Sequence, residues 1–78
     1  MIVYGVYVGI DHGGGQVLPD IYTSYRAAMD RVKAEIKSRE YDDLELSKFD
    51  RVDGKDEWSN GIDIVAIKKF TINDKTNN

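Results

Sequence analysis

The run Asp11-His12-Gly13-Gly14-Gly15 is where chemistry would first be sought. A histidine followed by three glycines resembles the oxyanion-hole loop of some lipases and esterases, whose backbone N–H groups face a developing negative charge. Such enzymes also need a serine on a Gly-x-Ser-x-Gly elbow and a partner histidine. No such elbow occurs, and His12 is the only histidine. A phosphate-cradling loop would lead into a helix N-terminus, whereas the apolar stretch Gln16–Tyr22 predicts a strand. Asp11 and His12 supply two adjacent donors, too few for a tight transition-metal site. The run therefore reads as a hairpin tip, with neither metal nor cofactor expected.

A second cluster gathers Asp50, Asp53, Asp56 and Glu57 around Gly54. In a calcium-binding helix-loop-helix the acid before the glycine is the fifth loop position, which would put Phe49 and Arg51 at positions one and three. That register fails, and Asp53-Gly54-Lys55-Asp56 is ordinary turn chemistry. With Trp58 beside them, the same acids form a surface able to meet a basic protein partner. A third group lies between Ser24 and Glu40, where Arg26, Arg31, Lys33, Lys37 and Arg39 face Asp30, Glu35 and Glu40. Mixed charge of this kind is normal on a solvated helix, but five bases also allow an alternative reading as a small RNA- or DNA-binding factor.

The elements that must position these groups follow from hydrophobic period. Ile2, Tyr4, Val6, Val8 and Ile10 alternate with Val3, Gly5, Tyr7 and Gly9, which predicts a strand. Its glycines leave part of one face without side chains, which suggests an open or closely covered sheet surface. Gln16–Tyr22 forms the second strand of a hairpin, and Pro19 pushes it toward a sheet edge or marks a bulge. Thr23-Ser24 supplies a hydroxyl N-cap for a helix whose stripe is Tyr25, Ala28, Met29, Val32 and Ile36. Asp42–Leu46 suggests a short helical turn, and Lys48–Val52 and Glu57–Ser59 suggest short strands around the Asp53–Asp56 turn. Ile62–Ile72 is the last strand. There Ile62, Ile64, Ala66, Phe70 and Ile72 share one face, interrupted by Lys68, while Val65 and Ile67 lie on the other. Either Lys68 sits at a solvated strand end or a bulge near Lys68-Lys69 shifts the register.

The fold class is thus α+β: an antiparallel sheet of three to five strands with one amphipathic helix on one face, in β-β-α-β-type order. Residues 1–72 make a single domain, and 73–78 a flexible tail. Seventy-eight residues suffice for one core only. With no cysteine, disulfides and thiolate metal sites are excluded, which fits a reducing compartment. The apolar start carries no basic leader and falls far below the roughly 20 residues of a membrane span, so a soluble, cytoplasmic chain is expected. Charge is uneven: residues 42–67 hold eight acids and three bases within a net charge of −3. Such a balance disfavours non-specific binding to phosphates.

Val3-Tyr4-Gly5-Val6-Tyr7, the glycine-rich turn, the step Ile21-Tyr22-Thr23-Ser24 into a helix with Ala27-Ala28, and the final apolar strand form a recognisable set. This set resembles small α+β proteins of tailed bacteriophages and some bacteria. The resemblance implies a sheet domain without settled chemistry, of a kind that often binds and inhibits a host protein. The segment Asp42–Trp58 departs from the shortest forms of that pattern. One helix covers one sheet face only. Val3 and Tyr7 on the first strand, and Val65 and Ile67 on the last, are read as apolar residues of the second face, to be covered either by the 42–58 segment or by another protein chain, a partner or a second copy. Lacking a catalytic set, the sequence predicts a non-enzymatic protein-interaction module.

Overall fold

A computed structural model describes residues 1–40 and 48–72. The suggested turn at Asp42–Leu46 and the tail at 73–78 lie outside them. Six elements follow in order: β1 (Ile2–Ile10), β2 (Gly15–Tyr22), α1 (Tyr25–Arg39), β3 (Asp50–Arg51), β4 (Glu57–Ser59) and β5 (Asp63–Thr71). The strands form one antiparallel sheet in the order β2-β1-β5-β4-β3, with the first and last strands central. The fold is α+β, and the helix lies on one face of the open sheet.

Local chemistry sets most boundaries. Ser24 is extended, and its hydroxyl accepts the Ala27 N–H at 3.1 Å, starting α1; Lys37 and Arg39 sit favourably in its last turn. The hairpin tip is tied down at Asp11, whose N–H donates to the Ile62 carbonyl at 2.7 Å. His12 there adopts a left-handed φ of 62° with its side chain in solvent. Gly54 at φ 73° closes the turn between β3 and β4. Before β5, the Asn60 side-chain oxygen accepts from Ile62 and Asp63 at 2.9 and 2.7 Å, and Gly61 takes φ 90°.

The helix buries Ala28 and Val32 against Val6, Val65 and Ile67, with Tyr4, Val8, Leu18, Tyr22, Met29, Ile36, Phe49 and Trp58 around them. This corrects the face assigned to Val65 and Ile67. Nine unbroken pairs run from Ile2↔Thr71 to Ile10↔Asp63, setting Val6 beside Ile67 and Val8 beside Val65. Both residues therefore lie beneath the helix. The more numerous apolar set, Ile64, Ala66 and Phe70, takes the opposite face. No bulge occurs at Lys68-Lys69, since the register is continuous there.

The irregularity falls in β2 instead. Gly5 pairs with Ile21 but Tyr7 with Val17, so β2 carries two extra residues around Pro19. Of the two expectations for the glycine face of β1, open or closely covered, the second holds. A Cβ on Gly5 would meet Val17 Cγ1 at 3.0 Å and Phe70 Cε2 at 3.1 Å. On Gly9 it would meet the Tyr7 hydroxyl at 2.7 Å, and on Gly15 the same hydroxyl along with the Val8 carbonyl oxygen at 2.6 Å. Tyr7 thus lies along its own strand, across Gly9 and its partner Gly15.

Because only the Tyr7 ring opposes a Cβ at Gly9, Gly9→Ala is expected to destabilise by about 1–3 kcal/mol, the usual range for overpacking, and Tyr7→Ala to remove most of that penalty. Gly15→Ala meets backbone as well, so its loss should persist in the Tyr7→Ala background. Urea unfolding of the four combinations checks this. Equal rescue at both glycines would contradict the placement of Tyr7.

Candidate functional site: the sheet face opposite the helix

Alternation along the paired strands gathers one set of side chains on the face away from α1. β1 contributes Val3, Gly5 and Tyr7; β2 contributes Val17 and Ile21; β5 contributes Ile64, Ala66, Lys68 and Phe70. The ladder continues to Met1 and Ile72, where the Ile72 N–H donates to the Met1 carbonyl at 2.7 Å, so these two side chains join the same face. Nine large hydrophobic residues are exposed among those described, and five of them (Met1, Val17, Ile21, Phe70 and Ile72) are here. Scattered apolar exposure is ordinary, whereas its collection on one face makes that face the candidate site.

The patch is graded rather than uniform. Val3 and Ala66 form a buried floor at 5 % and 2 % exposure, while Val17, Ile21 and Phe70 stand 40–50 % exposed above Gly5. The Lys68 ammonium sits 5.3 Å from the centre of the Tyr7 ring, where the π-face offsets part of its lost hydration. Glu57 and Ser59 of β4, paired with Ala66 and Ile64, and Asp50 of β3, paired with Ser59, extend the face as a polar margin.

The acids singled out in the sequence are not brought together. Asp50 and Glu57 belong to this margin, and Asp53 lies in the exposed turn. Asp56 is turned toward the helix side, where it accepts from the Tyr25 hydroxyl at 2.9 Å and from Arg51 at 3.2 Å. Trp58 faces the core, with the Arg51 guanidinium 5.9 Å from its ring centre. Tyr25 in turn meets Tyr4 edge to face at 5.8 Å, so Asp56 fastens the β3–β4 turn to the start of α1. The hydrogen bond to Asp56, then partial burial, holds the Tyr25 phenol above the usual tyrosine value.

The helix bases divide in two. Arg31 is committed to Asp20 at 3.0 Å, Glu35 at 3.3 Å and the Tyr22 hydroxyl at 3.4 Å; Arg39 is committed to Glu35 at 3.1 Å. Arg26, Lys33 and Lys37 are exposed. Three solvated lysines and arginines interspersed with Asp30 make a thin phosphate-binding surface. His12 lies 3.5 Å from Asp11, and among the described residues no three metal-ligating side chains converge. No helix among them is long and apolar enough to cross a membrane.

Sequence reasoning found Val3 and Tyr7 on this face and missed Val17, Ile21 and Phe70 as its exposed members. Their signal was present as apolar residues at alternate positions of β2 and β5. Which alternate set faces out, however, depends on pairing with β1. No protein-family model, curated protein or solved structure matches the chain.

Tyr25 offers a check on the helix-side fastening. Its raised folded value means that its stabilisation is present below about pH 10, the unfolded tyrosine value, and lost as pH climbs through the folded one. Tyr25→Phe should cost about 0.5–1 kcal/mol at neutral pH and should lose less stability than the parent between about pH 9 and about pH 11. Urea titrations at both ends of that window measure it. Parallel losses in the two proteins would show that Asp56 does not hold the phenol.

Proposed function

We propose that this chain is a non-enzymatic protein-interaction module that binds through the sheet face opposite its helix. One observation carries the reading: five of the nine exposed large hydrophobic side chains collect on that face, over a floor of Val3, Gly5 and Ala66. Aromatic and aliphatic side chains ringed by polar groups are the chemistry of binding hot spots. Phe70 and Ile21 are the proposed anchors, and Tyr7 with Lys68 is an amphipathic contact beside them. Glu57 and Asp50 supply acids at the margin for a partner that carries bases there.

The likeness of the opening strand and the Ser-capped helix to bacteriophage accessory proteins supports a host protein in the cytoplasm as the target of such a module. Commitment of Arg31 and Arg39 within the fold weighs against the nucleic-acid alternative, because it leaves only Arg26, Lys33 and Lys37 for phosphates.

Phe70 and Ile21 are about half exposed, at 43 % and 50 %, so replacing them should disturb binding more than folding. Phe70→Lys and Ile21→Lys are each expected to lower stability by less than about 1 kcal/mol. Each should abolish retention of bound proteins when the immobilised chain is exposed to bacterial lysate, whereas Lys33→Glu should retain them. Retention lost only with Lys33→Glu, and steeply dependent on salt, would instead point to nucleic acid and overturn the proposal.

A further inference from the structure

We infer that in the free protein the face opposite the helix is covered by a second copy of this chain, sheet against sheet. This rests on reading that face as the binding surface, and it names the occupant.

Sheet edges are the usual alternative route to self-association, and here both are blunted. β3 is two residues long, and β2 is interrupted by Pro19 and two unpaired extra residues. Its Asp20 is also held by Arg31 at 3.0 Å. Short strands, proline and bulges of this kind block the addition of another strand. Association is thereby left to the face.

The shape of that face suits another sheet. Along β1 and β5, small residues pair across the strands with large ones: Val3 with Phe70, Gly5 with Lys68, Ala66 with Tyr7, and Gly9 with Ile64. Phe70 leans over Gly5 and Tyr7 over Gly9, so the large side chains fill the hollows left by the glycines. A levelled apolar layer packs against a second flat layer about 10 Å away, as in a sandwich.

Charge favours the chain's own sheet over a foreign apolar one. On β2, β1 and β5, Lys68 is the one charged side chain of this face, while Glu57 and Asp50 lie on β4 and β3. A second copy brings carboxylates as well as a lysine, so that Lys68 need not be buried without an opposite charge. The area is sufficient. Three long strands at about 4.8 Å spacing and about 30 Å length, plus the short strands beside them, give a footprint on the order of 500 Å² per copy. Twice that reaches the roughly 1,000 Å² at the low end of specific interfaces, the size of a reversible dimer.

Light scattering and sedimentation of the full chain from about 1 to about 200 µM should show the mass rising from one chain to two, with half-association at tens of micromolar. Phe70→Lys and Ile21→Lys should each raise that midpoint at least about tenfold. Lys33→Glu, on the helix, should leave it unchanged. Because the chain has no cysteine, Ile72→Cys gives a single reactive site on the face and Lys37→Cys one on the helix. A short bis-maleimide should link copies through the first and not the second. A one-chain mass throughout the range overturns the inference, as does a dimer indifferent to both face variants. If the chain is monomeric and Phe70→Lys still abolishes retention of another protein, the face remains a binding surface with a foreign occupant. Should neither association nor retention respond to the face variants, both readings fall.

Discussion

The β1–β5 ladder is the constraint on which everything else in this small fold depends. Its nine consecutive pairs join strands more than fifty residues apart, and they place the first and last strands side by side at the centre of the sheet. Paired residue numbers sum to 73, so even positions of β1 share a face with odd positions of β5. That parity puts Val6 and Val8 with Val65 and Ile67 under the helix, and Val3 and Tyr7 with Ala66 and Phe70 on the other side. A slip of one residue would exchange the two sets on β5 and bring Lys68 beneath Val32 and Ala28. The closure is non-local, the kind of pairing that costs loop-closure entropy before its contacts offset it.

From this ladder the remaining structure follows in layers. The helix is one-sided, and it caps a core whose fully buried side chains are small: Val6, Ala28, Val32 and Val65. A core of that size is modest, and peripheral contacts supplement it. Tyr25, Asp56 and Arg51 fasten the β3–β4 turn to the start of the helix, and the Phe49 N–H donates to the Glu40 carboxylate at 2.8 Å near its end. Arg31, bridging Asp20 and Glu35, ties the helix to the irregular edge strand. Such exposed pairs each contribute little, but together they orient elements that the small core grips loosely. No helix of the described residues lies on the opposite face, and its own large side chains fold down over the glycines of β1 and β2.

Much of the architecture was legible in the sequence for physical reasons. Period-two alternation from Ile2 to Ile10 and the three-four stripe from Tyr25 to Ile36 are local signals, strong enough to define a strand and a helix without tertiary help. Ser24 as cap, the Asp53–Asp56 turn and Asn60-Gly61 are likewise written in neighbouring residues. What could not be read was the parity of β5. Both of its faces are apolar, with Ile64, Ala66 and Phe70 on one and Val65 and Ile67 on the other, so counting hydrophobic residues favours the wrong one. Only pairing with β1 decides, and pairing is non-local. The same limit hid the cover over Gly5, supplied by Val17, Ile21 and Phe70 from two other strands. It hid as well the ties of Arg31 to Asp20 and Tyr22, whereas the Glu35–Arg39 pair, four residues apart on the helix, is a local signal.

Proton–proton contacts between the methyl groups of Ile67 and those of Ala28 and Val32 test the ladder and its parity most directly. The account requires them in a nuclear Overhauser spectrum of the folded chain, together with cross-strand contacts between Tyr7 and Ala66. Phe70 should show contacts to Val17 and Ile21 and none to the helix. Contacts from Phe70 or Ala66 to Val32, with Ile67 free of the helix, would mean that β5 is paired in the other register. The face proposed for binding would then be the core.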